Sequence, residues 1–161
     1  MPQCDEMIRK SLKPRVAVYV MIGVAGSGKS TAAKKLAEET GAEIFSSDAI
    51  RAELYGDESI QGNNKKVFDI LYHRAVYEAS FGCPVIIDAT GLTKKTRRFT
   101  MNAFRDLNAE FIAVFVNTPL EKALEQNANR ARVVPDEVIK RHFAQLVKPT
   151  LEEGFSKIIE I

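Results

Sequence analysis

The sequence predicts an α/β fold of three layers, with helices on both faces of a mainly parallel central sheet. Two observations carry this. Short apolar runs alternate with longer segments of helical period, and the first run leads directly into the glycine-rich stretch GVAGSGKST (23–31) and a helix-forming segment. Strands are expected at 16–22 (VAVYVMI), 43–46 (EIFS), 84–89 (PVIIDA), 111–117 (FIAVFVN) and 156–161 (SKIIEI), and helices at 30–40, 48–55, 65–80, 94–107, 119–129 and 135–147. Gly41 ends the first helix, since glycine enters a left-handed turn without strain. In TPLE (118–121), proline stands at the first helical position inside a T-x-x-E capping box. Pro135, followed by Asp136 and Glu137, marks another start with acids at the favourable end of the dipole.

A length of 161 residues suits one domain over 15–161, preceded by a flexible lead over 1–14. No second catalytic module is expected. The formal charge of +2 does not by itself argue for a nucleic-acid partner. Cys4 and Cys83 have no metal-ligand or C-x-x-C spacing around them, so both are expected to be reduced thiols. With no signal-peptide core and no run long enough to span a bilayer, the expectation is a soluble, cytoplasmic protein with no membrane partner.

The stretch 23–31 fits G-x-x-x-x-G-K-[ST] at every fixed position, through Gly23, Gly28, Lys29 and Ser30. A phosphate chain needs many backbone N–H donors converging on it, and only a chain free of Cβ atoms at the tight points supplies them, here at Gly23, Gly26 and Gly28 around Ser27. The helix that follows adds its own unpaired N–H groups and the positive end of its dipole. Lys29 would reach the β- and γ-phosphates of ATP or another nucleoside triphosphate, Ser30 would ligate Mg²⁺, and Thr31 would bond the α-phosphate. The fold is thereby narrowed to a P-loop NTPase.

In open parallel sheets ligands bind beyond the carboxyl ends of the strands, so each strand end is expected to deliver a functional residue. After the second strand comes Asp48, with Arg51 one turn later on the same helical face. Asp48 would take the proton of an acceptor hydroxyl, and Arg51 would fork onto an acceptor phosphate. The same residues would also arise if Asp48 merely capped its helix and Arg51 paired with it. Asp88 closes the apolar run VIID as a Walker B acid, positioning Mg²⁺ and bordering the acceptor, with Thr90 and Gly91 lining the acceptor channel or making a turn. The segment NANRARVVP (127–135) joins two helices, and its Arg130 and Arg132 would cover the phosphates as a lid. Basic runs at KK (65–66), KKTRR (94–98) and KRH (140–142) would hold a polyanion or simply be solvated helix faces. His73 and His142 are expected to pack or to lie on the surface.

The segments IGVAGSGKST, SSDAIR, VIIDATG and NTPLEKALEQNANRAR…PDEVIKRH resemble, in order and spacing, the kinase domain of the phage and bacterial 5′-hydroxyl polynucleotide kinases. The similarity runs from about Val16 to the carboxyl terminus. The resemblance implies a polynucleotide kinase of nucleic-acid repair, moving the γ-phosphate of ATP to the 5′-hydroxyl of DNA or RNA. It implies Asp48 as general base, Arg51 on the acceptor phosphate, Lys29 and Ser30 in the donor loop, and Arg130, with Arg132 as a second, on the donor phosphates. The chain departs from the family at Gln126, where an arginine is common. Family members often carry phosphatase or ligase modules, so separate phosphatase or ligase partners are implied. Two other readings stay open: a P-loop kinase acting on a nucleoside, sugar, nucleotide-sugar or antibiotic, and an ATP-dependent switch. A GTP-dependent switch is disfavoured because NKKV (64–67) lacks the acid of N-K-x-D.

Overall fold

Val16–Ile22, seven residues without a charge, form β1, the middle strand of a five-stranded sheet in which every pairing is parallel. The computed structural model describes residues 3–5, 7–8 and 15–161. The order is β2-β3-β1-β4-β5, with β2 at Glu43–Ser46, β3 at Val85–Asp88, β4 at Ala109–Phe115 and β5 at Phe155–Glu160. Strands covered on both faces read as unbroken apolar runs, and β3 is buried at all four positions.

Side chains alternate along β1, and the two faces go to different layers. Val16, Val18, Val20 and Ile22 meet α3 (Asn64–Ser80), whose Val67, Leu71, Ala75 and Ala79 recur every four residues and are all buried. The same layer takes Ile50 of α2 (Ser47–Tyr55) and Phe104, which follows α4 (Lys94–Ala103). On the other face Met21, with Ile86 and Val114, meets α1 (Lys29–Thr40) through Ala33. A third cluster joins α5 (Leu120–Ala128) and α6 (Asp136–Gln145), through Ala123 and Ile139, to Val24 and Leu92 just beyond the ends of β1 and β3. Gly41 closes α1 as expected, at φ 74° with its N–H on the Ala37 carbonyl.

Three expectations need correcting. The TPLE capping box does not form: Pro119 precedes α5 without a side-chain cap, and Thr118 Oγ1 donates instead to the Ser27 carbonyl at 2.7 Å. A tertiary bond that ties α5 to the glycine-rich loop has displaced the local one. The helix expected over 94–107 stops at Ala103, because Phe104 is drawn into the core and the backbone tightens into turns, Phe104 N–H to Met101 and Leu107 N–H to Phe104. β4 then begins two residues early, with its seven residues registered one for one on β1, from Val16 with Ala109 to Ile22 with Phe115.

The KKTRR run is not one uniform basic face. Lys94, Lys95 and Arg98 are exposed, but Arg97 is only 1% exposed. Its Nε and Nη2 donate to the two carboxylate oxygens of Glu153 at 2.8 and 3.1 Å, and Nη1 donates to the carbonyls of Gly91 and Val147. It is a bolt between α4, the turn after β3 and the short 3-10 helix Leu151–Glu153, so it cannot hold a polyanion.

Most of the expected lead over 1–14 lies outside the described residues; within it, 3–5 and 7–8 are helical and exposed. Cys4 and Cys83 are free and exposed. No helix among the described residues is long and apolar enough to cross a membrane.

Candidate active site

The glycine-rich loop leaves β1 at Gly23, whose N–H donates to the Thr90 carbonyl at 3.1 Å and so joins the end of β1 to the end of β3. Gly26 has φ 79°, and a Cβ there would lie 2.5 Å from the carbonyl oxygen of Ala123 in α5. Gly28, at φ 91°, is the N-cap of α1 and faces open space. Among the described residues the amides of Gly26, Gly28, Lys29, Ser30 and Thr31 have no acceptor, the condition in which a loop and helix start receive an anion.

The two glycines separate two costs. Gly28→Ala meets only the left-handed penalty of about 1–2 kcal/mol, whereas Gly26→Ala adds an overlap with backbone worth about 1–3 kcal/mol more. Urea unfolding of both variants should rank Gly26→Ala clearly lower in stability, and equal midpoints would contradict the close packing of α5 on the loop.

Lys29 Nζ lies 2.6 Å from Asp88 Oδ1, and Ser30 Oγ is 3.4 Å from Asp88 Oδ2. Asp88 is 6% exposed, so the lysine and carboxylate neutralise each other beneath the loop. A phosphate chain arriving on the loop would compete for Lys29. Among the described residues no group of three or more His, Cys, Asp or Glu is placed to hold a metal ion. One hydroxyl and one carboxylate side by side fit instead the pattern of Mg²⁺ on a nucleotide, which takes few protein oxygens and fills its sphere with phosphates and waters.

β2 pairs with β3 so that Ser46 is the register partner of Asp88, which puts the start of α2 one strand away from that pair. Ser46 caps α2, accepting from the Ala49 N–H, so the Asp48 carboxylate is left for other partners. Arg51 donates to Asp48 Oδ1 from Nη1 and to Asn64 Oδ1 from Nη2, both at 3.1 Å. Arg132, from the loop between α5 and α6, approaches Asp48 Oδ2 at 3.4 Å and Glu58 Oε1 at 3.5 Å. Asp48 is thus bracketed by two guanidinium groups that reach it from different elements.

Together these parts border one open cleft of about 1610 Å³. Gly26, Gly28, Lys29, Ser30 and Thr31 line it on the loop side, Asp48, Arg51 and Thr90 on the other, and Arg130 and Arg132 from the α5–α6 loop. Gly23 and Ser27 lie beneath the loop, and the buried Ser27 Oγ has no partner. Asp88 sits under Lys29 and Ser30 rather than on the cleft wall. Arg132 joins the Asp48 network, while Arg130 stands exposed on the rim. Gly91 serves the scaffold, since a Cβ there would lie 2.9 Å from the Met21 carbonyl and its own carbonyl accepts from Arg97.

Sequence reasoning missed Glu58, Phe68 and His142 on this cleft, and Asn64 behind Arg51. His142 lines it from α6, and burial, aided by Arg141 and Lys29, holds its pKa below the usual histidine value. Its spacing of three from the buried Ile139 was the available signal.

A family model described as an AAA domain matches residues 18–149. The chain belongs to this AAA-domain family. Its architecture is the P-loop kinase fold: a gluconokinase from Sinorhizobium meliloti 1021 superposes with a TM-score of 0.63 at 17% identity, over 92% of this chain and 83% of that one. Among curated proteins, the AAA domain is 26% identical over 143 residues to an L-seryl-tRNA(Sec) kinase of Methanococcus maripaludis, covering 82% of this chain and 53% of the relative. It is also 26% identical over 147 residues to a protein of Autographa californica nuclear polyhedrosis virus provisionally named a bifunctional polynucleotide kinase/RNA ligase, covering 81% of this chain and 21% of that one. The chain therefore spans about half the length of the first relative and about a fifth of the second.

Proposed function

We propose that the chain is a kinase that moves the γ-phosphate of ATP, or of another nucleoside triphosphate, to the 5′-hydroxyl end of DNA or RNA, with Mg²⁺. The observation that carries the reading is the Asp48 carboxylate, half-exposed in the cleft and held between Arg51 and Arg132. A carboxylate so oriented accepts the proton of an attacking hydroxyl, a contribution of ~10²–10⁴-fold in rate. Arg51, fixed by Asp48 and Asn64, orients that base and offers its fork to a phosphate on the acceptor strand. Lys29 and the free amides of the loop hold the donor phosphates, and Arg130 and Arg132 take up charge that spreads onto the transferred group. Ser30 and Asp88 would hold Mg²⁺, which supplies further charge neutralisation at the phosphates. The names of the two curated relatives support an acceptor connected with RNA.

A second reading, a small-molecule acceptor, is favoured by one observation. Asp57 and Glu58 border the same cleft, and carboxylates there repel a polyanion. Competition separates the two: with labelled ATP, an oligonucleotide bearing a free 5′-hydroxyl is expected to take label ahead of nucleosides and sugars at equal concentration. Preference for a free sugar or nucleoside would favour the second reading.

A further inference from the structure

Phe68 is the one Phe, Tyr or Trp among the described residues that line the cleft. It stands half-buried in α3, one turn after Asn64 and on the same helical face. Asn64 accepts from Arg51, and Arg51 donates to Asp48, so the Asp48–Arg51–Asn64 chain ends on the helical face that carries the ring one turn further on. Asp48 and the Phe68 ring thus border one cleft, the arrangement that the 5′ hydroxyl and the base of one nucleotide would span. The ring is also braced. Tyr72 packs beside it with centroids 5.9 Å apart at 40°, and the Tyr72 hydroxyl is fixed by Thr100 Oγ1 at 2.8 Å. Arg51 is 8% exposed and held through both Nη atoms, so the chain beside the ring is fixed in place.

We propose that Phe68 is the platform on which the terminal base of the acceptor stacks, which makes the acceptor a base-bearing 5′ end rather than a bare sugar. The inference rests on the kinase reading given above and narrows its substrate class. Stacking on an aromatic face accepts every base and is worth about tenfold to a hundredfold in affinity. Sequence tolerance with dependence on the presence of a base is the expected signature.

The test uses a short 5′-hydroxyl oligonucleotide with 2-aminopurine as its terminal base and a matched oligonucleotide lacking that base. The protein contains no tryptophan, which keeps the fluorescence channel clear. The wild type is expected to quench the 2-aminopurine on binding. Phe68→Leu should lose the quenching and bind the base-bearing end about tenfold to a hundredfold more weakly, while binding the abasic end and a fluorescent ATP analogue unchanged. Phe68→Tyr should restore quenching. Binding without quenching, equal affinities of wild type and Phe68→Leu, or no binding of the oligonucleotide at all would overturn the platform. Quenching without any phosphate transfer would uphold the platform and overturn the kinase reading; transfer without quenching would do the reverse.

Discussion

Asp48→Asn is expected to bind ATP as the wild type does and to transfer its γ-phosphate ~10²–10⁴-fold more slowly. The amide keeps the volume of the carboxylate and an oxygen that accepts from Arg51, so the 3.1 Å contact can survive. What it loses is the ability to take a proton. It also loses the charge opposite Arg132, but that pair is partly exposed on both sides, and such pairs contribute only about 0–1 kcal/mol. A folded, nucleotide-binding and transfer-deficient protein is therefore the expected result, read by calorimetric binding of a non-hydrolysable ATP analogue beside single-turnover transfer. Transfer at the wild-type rate would make Asp48 a clamp for two arginines and nothing more.

The largest effect on stability is expected from Arg97→Ala, about 3–5 kcal/mol. The substitution removes four hydrogen bonds, leaves the Glu153 carboxylate without its counter-ion, and strips donors from the carbonyls of Gly91 and Val147. Arg97→Lys keeps the charge but cannot reproduce the two parallel bonds to Glu153, and should fall between. The loss has a pH signature. Burial pushes the Glu153 carboxyl up, but the hydrogen bond from Arg97, with those from Thr150, leaves it below the usual glutamate value of 4.5. A group whose pKa is lower in the folded state contributes stability above its unfolded value and loses it as pH falls through the folded one. Urea midpoints of the wild type should accordingly decline as pH drops below that glutamate value, and those of Arg97→Ala should decline less there. Parallel curves, or a cost near zero at neutral pH, would contradict the role given to Arg97.

Arg97 also marks where sequence reasoning ran out. Inside KKTRR nothing distinguishes it from its neighbours, and what buries it is Glu153, 56 residues away. Thr118 tells the same story, because a correct local capping pattern lost to a hydroxyl bond with Ser27, 91 residues distant. The glycine-rich loop was legible for the opposite reason: its chemistry is backbone chemistry, and the positions that must be glycine are adjacent in the chain. Asp48 and Arg51 were legible because a spacing of three is one helical turn. Asn64, which completes that chain, comes from the next helix across a loop, and no local spacing announces it. Between Arg130 and Arg132 the sequence offers no means of choosing which reaches Asp48; the fold of the α5–α6 loop selects Arg132.

The destination of the γ-phosphate decides the function. The most direct measurement supplies labelled ATP and Mg²⁺ to the wild type with a single-stranded oligonucleotide ending in a 5′-hydroxyl, beside the same oligonucleotide already phosphorylated at that end. Label on the free end alone is the predicted result. Label on neither oligonucleotide, from protein that demonstrably binds ATP, would contradict the assignment of a polynucleotide acceptor.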